Sequence, residues 1–224
     1  MKRRIITTGD GSNTIQIEDW NEQYHSIHGA IQEANHVFIK HGLLFFIENF
    51  QNRGPIHILE IGFGTGLNTF LTLLKSGKTK TQIHYTGVEA FPVKEEEISQ
   101  LNYVKELKAN AELFSELHDS SWEIQQDITD IFKLIKQQKE FKDIEDKDSY
   151  DIIYFDAFGA RVQPELWTED IFKKMFDALK VNGVLVTYSA KGSVRRAMQA
   201  VGFKVEKLPG PPGKREMLRA FKEA

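Results

Sequence analysis

The chain has 224 residues, a formal net charge of −3 and no cysteine. A chain this long can bury a full hydrophobic core, and the lack of thiols excludes disulfides, thiolate metal sites and cysteine nucleophiles. No apolar run reaches the roughly 18–20 residues of a membrane span. The basic start at Met1 to Arg4 breaks off too soon for a signal peptide, so a cytoplasmic location is expected.

Residues 1–54 read as an N-terminal appendage. Arg4-Ile5-Ile6-Thr7 and Thr14-Ile15-Gln16-Ile17 flank a Gly9-Asp10-Gly11-Ser12 turn, which predicts a hairpin over 3–18. Ala30, Ala34, Val37, Phe38 and Leu44 recur near helical spacing, predicting a helix over 26–51 with Ser26 as its cap and Gly42 as a kink or break. Gly54-Pro55 closes the appendage.

From residue 55 to 224 strands and helices alternate. Strands are predicted at 56–61, 83–88, 122–125, 150–155, 183–188, 203–208 and 215–221. Helices are predicted at 65–75, 93–117, 128–138, 168–179 and 193–201, and a charged surface loop at 141–149. This order implies an α/β fold with a seven-stranded, mostly parallel sheet covered by helices on both faces. Only Pro209-Gly210-Pro211-Pro212-Gly213 joins the last two strands, so the last strand should be antiparallel. That plan is similar to the Rossmann-like class I S-adenosylmethionine-dependent methyltransferases.

Glu60-Ile61-Gly62-Phe63-Gly64-Thr65-Gly66 lies where a buried strand turns into a helix. Gly62, Gly64 and Gly66 let backbone approach a ligand closely, and ligands of open α/β sheets sit beyond the carboxyl ends of the strands. Leu67-Asn68 follow Gly66, so the G-x-G-x-x-G spacing common at dinucleotide sites is not met. Glu60 could orient the glycines or meet a cationic ligand, and S-adenosylmethionine carries both a sulfonium and an ammonium. Glu89 ends the second strand about 20 residues beyond Gly66, where an acceptor for a ribose diol is needed. Asp127 either meets the adenine amino group or caps the helix expected at 128.

Asp156 closes the apolar strand Tyr150 to Phe155, at the end that faces the transferable methyl in this fold. The N/D-P-P-Y/F motif of nucleobase-amine methyltransferases is absent, and cysteine-dependent pyrimidine methylation is excluded. What remains is direct attack by a heteroatom. His25, His28 and His36 have no common ligand spacing, so no metal is expected.

Tyr24-His25-Ser26, Gly29-Ala30, Glu33 and His36-Val37-Phe38 resemble the methyltransferase domain of the MnmC family of bacterial tRNA wobble-uridine modification enzymes. So do Glu60 through Asn68, Val88-Glu89 and Phe91-Pro92. Asp156-Ala157-Phe158 with Pro164, Trp167 and Thr168 is similar to that family's D-G-F-A-P…N-P-x-x-W-T segment. Val194-Arg195-Arg196, Gly202-Phe203 and Gly213 through Leu218 complete the match. Two places depart from it: Gly159-Ala160 and Gln163 replace the family's residues beside the substrate pocket.

The resemblance implies S-adenosylmethionine as cofactor, held by Glu60, Gly62, Gly64, Gly66, Asn68, Glu89 and Asp127. It implies N-methylation of 5-aminomethyl-(2-thio)uridine in the anticodon loop of a tRNA. Asp156 would accept the amine's proton, or hold the ammonium while water takes it. Tyr24, His25, Phe158 and Trp167 are substrate-pocket candidates, Trp167 equally a packing residue. Arg195, Arg196, Lys214 and Arg215 are candidates for tRNA phosphates, the first two equally a solvated face. The family's flavin-dependent oxidase domain has no counterpart here, so a separate oxidase or other enzyme is expected to supply the aminomethyl group. The alternative is a small-molecule amine methyl- or aminopropyl-transferase related to polyamine synthases. Those enzymes share a Y-D-x-I-x-x-D strand but usually carry G-G-G-D-G in the first loop, which this chain lacks.

Overall fold

A computed structural model describes residues 2–50 and 54–223. Three N-terminal strands, β1 (Arg3–Thr7), β2 (Asn13–Ile17) and β3 (Glu22–Gln23), form a small antiparallel sheet. The central sheet contains β4 (Ile56–Ile61), β5 (Ile83–Val88), β6 (Gln126–Thr129), β7 (Phe132–Gln137) and β8 (Tyr150–Phe155). It is completed by β9 (Leu179–Thr187), β10 (Lys204–Pro209) and β11 (Glu216–Phe221). Their spatial order is β10-β11-β9-β8-β4-β5-β7-β6.

The five inner strands from β9 to β7 run parallel, while β11, β10 and β6 are antiparallel to their neighbours. β4, β5 and β8 are buried almost throughout, as strands covered on both faces must be. One face packs against the first helix and the helices Leu67–Thr79 and Ala111–Asp119. The other packs against Glu169–Ala178 and Gly192–Ala200.

Among the described residues the sheet has eight strands rather than seven, and the extra one corrects two expectations. Residues 128–138 form no helix; β6 and β7 make an antiparallel hairpin there, and Trp122 forms only an isolated bridge to Lys136. Ile128, Ile131, Phe132 and Ile135 suit helical spacing, but Phe132, Leu134 and Lys136 alternate as buried residues at period two. Parallel pairing with β5 satisfies that backbone and decides between the two patterns. The polar helix expected over 93–117 is three short ones, Glu95–Ile98, Tyr103–Leu107 and Ala111–Asp119.

The first helix is continuous over residues 30–49, with wide π-type turns at Asn35–Leu44. Its expected end at residue 51 lies outside the described residues. Ser26 does not cap it. The hairpin turn does, through Asp10 Oδ2 accepting from the Gln32 amide at 2.9 Å and Thr8 Oγ1 from the Ala30 amide at 3.2 Å. Gly42 does not break the helix either. A Cβ there would lie 3.0 Å from the Tyr154 ring and 3.1 Å from Val186, so the glycine lets the helix lie close on the sheet.

Candidate functional site

β4 ends in a loop where Gly62, Gly64 and Gly66 have φ of 91°, 50° and 71°. A Cβ on Gly62 would lie 2.9 Å from the Asp156 carbonyl oxygen. Backbone therefore passes backbone where β4 and β8 end, and only glycine fits. A cleft of about 880 Å³ opens at this point, within the ~300–1,000 Å³ of small-molecule sites.

The cleft brings together much of the expected set. Gly62, Glu89, Asp156 and Phe158 line it from the sheet side, and Tyr24 and His25 from the N-terminal segment. Glu89 accepts from the Gly64 amide at 3.1 Å and the Phe91 amide at 2.9 Å, so it ties the glycine loop to the end of β5. Burial raises its carboxyl. Asp156 is pushed up to about 7 by burial and by nearby Glu33, against the Asn68 hydrogen bond and Lys214. Burial pushes His25 down to about 4, so its ring is neutral at pH 7; its Nδ1 lies 2.9 Å from Thr14 Oγ1. Phe158 stands edge-on to Tyr24 and Trp20, with centroids 4.8 and 5.7 Å away.

Other expected residues lie elsewhere. Gly64 is covered by the Tyr24 ring and Gly66 by His118. Glu60 is fully buried beneath the loop and binds Thr69 Oγ1 at 2.8 Å and Tyr85 OH at 2.9 Å. Asn68 spends its amide on Asp156 at 2.8 Å. Both therefore support the loop and Asp156 from behind.

Asp127 is a correction. It lies in β6 opposite Lys133, which pairs with His84 near the amino end of β5, far along the sheet from Glu89. There it is exposed and ion-paired with Lys133 at 3.2 Å, so it neither meets the cleft nor caps a helix. For Trp167 the packing alternative holds. It is 5% exposed, donates from Nε1 to the Phe158 carbonyl at 2.7 Å and packs against Phe155, Phe172 and Tyr188. It braces Phe158 from outside the cleft.

Lys214 is the second correction. Its Nζ meets Glu33 Oε1 at 2.5 Å and lies 3.9 Å from the Tyr188 ring centroid, in the lining of the cleft, so its charge is already paired within the protein. Arg196 and Arg215 are exposed, and Arg195 is half-buried beside Glu216. Sequence reasoning assigned no role to Glu33, Tyr188, Arg3 or Lys191, all of which line the cleft. Glu33 carried a usable signal, as an acidic residue among the buried positions Ala30, Ala34 and Val37. Among the described residues no His, Asp and Glu cluster could hold a metal, and no helix is long and apolar enough to cross a membrane.

These residues fit S-adenosylmethionine. Gly62 leaves its face of the cleft without a side chain, and the carboxyls of Glu89 and Asp156, at the ends of β5 and β8, flank the glycine loop where a ribose hydroxyl or a cation could meet them.

A family model for S-adenosyl-L-methionine-dependent methyltransferases matches residues 94–223, more than half of the chain. The chain is 31% identical over 220 residues to the tRNA 5-methylaminomethyl-2-thiouridine biosynthesis bifunctional protein MnmC of Leptospira interrogans, covering 90% of this chain and 32% of that protein. It thus spans about a third of the length of such curated relatives. The crystal structure of MnmC2 from Aquifex aeolicus superposes with a TM-score of 0.79 at 27% identity, over 100% of this chain and 71% of that one. Spermidine synthase from Thermotoga maritima shares the fold, with a TM-score of 0.56 at 15% identity over 100% of this chain and 75% of that one.

Proposed function

This chain belongs to the S-adenosyl-L-methionine-dependent methyltransferase family, and we propose that it methylates the amine of 5-aminomethyl-(2-thio)uridine at the wobble position of tRNA. The observation that carries this reading is the corner where Asp156, Glu33 and the Tyr188 ring face one cleft beside the glycine loop. Glu33 and the Tyr188 ring hold the Lys214 ammonium, so the Asp156 carboxyl is the group at this corner left to meet an alkyl ammonium. The names of the relatives support the choice of tRNA over a polyamine.

The bound cofactor supplies a methyl group on a sulfonium, open to in-line attack by a neutral amine. Gly62 and Glu89 would hold it, and Glu60 and Asn68 stiffen the loop and Asp156 behind them. Asp156 accepts the proton that the ammonium must lose. An alkyl ammonium near 10.4 and an ordinary aspartate near 3.9 differ by about 9 kcal/mol in proton affinity. With Asp156 at about 7 the gap narrows to about 4–5 kcal/mol. That fits within the ~16 kcal/mol barrier of a step near 10 s⁻¹. Tyr24 and Phe158 form the wall against which the uracil stacks.

Residues 1–54 provide the substrate side of the cleft in this reading, and residues 55–224 the cofactor side. The reaction takes place in the cytoplasm, and a different catalytic unit supplies the aminomethyl group. The test offers labelled S-adenosylmethionine with tRNA bearing free 5-aminomethyluridine, and separately with polyamines, followed by nucleoside mass spectrometry. The expected product is 5-methylaminomethyl-(2-thio)uridine. Methyl or aminopropyl transfer to polyamines alone would overturn the reading.

A further inference from the structure

Three remote segments meet at one corner of the cleft: Glu33 from the first helix, Asp156 from the end of β8, and Lys214 from the loop between β10 and β11. The loop is held in place from β10, where His36 Nε2 lies 2.8 Å from the Pro209 carbonyl oxygen. Glu33 is fixed on its other side, since its Oε2 accepts from the Ser26 amide at 2.9 Å. Lys214 is thereby clamped between the Glu33 carboxylate and the Tyr188 ring.

We propose that Glu33 and Lys214 are positioning residues, an internal ion pair that leaves Asp156 as the one uncompensated carboxylate of the amine subsite. The inference rests on the amine-methylating reading above. Charge counting supports it. The groups that act on Asp156 or feel its charge are Glu33, Lys214, Asn68, Glu60 and Tyr188. Glu60 is pushed up to about 8 by burial and is protonated at pH 7. Tyr188 is raised and stays neutral, and Asn68 carries no charge. With Asp156 ionised, one cation and two anions remain, a net charge of −1 that one substrate ammonium balances. Without Lys214 a second buried carboxylate would compete for the proton that Asp156 must take. Without Glu33 the Lys214 ammonium would repel the substrate's.

The experiment follows the Asp156 carboxyl by ¹³C NMR titration of aspartate-labelled protein, assigned by loss of its signal in Asp156→Asn. It is paired with the acid limb of kcat/KM against pH. Lys214→Met should move both upward, and Glu33→Gln should move both downward, each by about one pH unit or more. The double variant restores the net charge and should return both toward the wild-type position. Lys214→Arg keeps the charge and should leave them in place, which also covers the case that Lys214→Met does not fold. A titration that stays put in both single variants, or moves the same way in both, overturns the pair whatever the substrate is. Opposite movements without methylation of the aminomethyl tRNA would leave the pair standing and remove the substrate reading instead.

Discussion

Asn68 Nδ2 donates a 2.8 Å hydrogen bond to Asp156 Oδ2, while its own Oδ1 is buried without a partner among the described residues. Glu60 Oε1 is likewise buried and unpartnered. Glu60 is pushed up to about 8 by burial, against hydrogen bonds from Thr69, Tyr85 and Asn68. Glu60, Asn68 and Asp156 thus stand in line behind the cleft.

That line predicts the behaviour of Asn68→Ala. Asp156 loses a donor to its charged form, so its carboxyl rises further and less of it is ionised at pH 7. Methyl transfer at pH 7 should fall about 10–100-fold, the worth of one hydrogen bond to a charged group, and recover in part toward pH 9. Cofactor affinity should change little. A matching loss of cofactor affinity, measured by calorimetry, would instead make Asn68 a direct cofactor ligand.

For the cofactor itself, Glu89 and Asp127 should separate cleanly. Glu89→Ala removes the acceptor of the Gly64 and Phe91 amides and the carboxylate that lines the cleft. S-adenosylmethionine affinity should drop about 10–100-fold. Asp127→Ala breaks one exposed ion pair with Lys133 and should leave affinity unchanged, with at most about 1 kcal/mol of stability lost. Equal losses in the two variants would reverse the assignment.

The contrast between these residues shows where the sequence was legible. Strand ends are: Ile56 to Ile61, Ile83 to Val88 and Tyr150 to Phe155 are apolar runs with clear stops, and the strands β4, β5 and β8 begin and end on those residues. The residue at each carboxyl end, Glu89 or Asp156, could then be placed at the cleft. Asp127 failed because Phe132 to Gln137 carries both periods, and taking the helical one put the neighbouring strand at the wrong end of the sheet. Lys214 was misplaced for another reason. Its partners Glu33 and Tyr188 are distant in sequence, and only the packed fold reveals that a basic tail residue turns inward.

Trp167 should behave as a brace. Trp167→Phe keeps the packing against Phe155 and Phe172 but leaves the Phe158 carbonyl without its donor. The expected cost is about 1–3 kcal/mol of stability, read from denaturant unfolding, while KM for the tRNA changes little. A large KM increase at unchanged stability would return Trp167 to the substrate pocket.

The tRNA surface is testable by salt dependence. Lys191 lines the cleft mouth and is exposed, as are Arg196 and Arg215. Converting all three to Ala should weaken tRNA binding and reduce the slope of log K against log salt by about 0.7–0.9 for each phosphate that is no longer neutralised. Thermal stability should hold, since exposed charges contribute little. An unchanged slope would move the RNA footprint to another face.

Asp156→Asn tests chemistry and stability together. The substitution keeps volume but removes the group that holds and accepts the amine's proton, so methyl transfer should fall about 10²–10⁴-fold. Cofactor binding should persist, because Glu89 and the glycine loop are untouched. Wild-type turnover should itself fall as pH drops through about 7, where Asp156 becomes protonated. The stability consequence has the opposite sign. Asp156 is raised in the folded state to about 7, against about 3.9 in an unfolded chain. Its contribution is thus most favourable below about 4 and is progressively lost as pH rises to about 7. Asparagine does not ionise, so the variant should match wild type near pH 4 and exceed it at pH 8 by ~2–4 kcal/mol. Denaturant unfolding at the two pH values checks this directly. A variant less stable than wild type at pH 8 would mean that the charged carboxylate is well paired in the fold, and would remove the basis for its raised proton affinity.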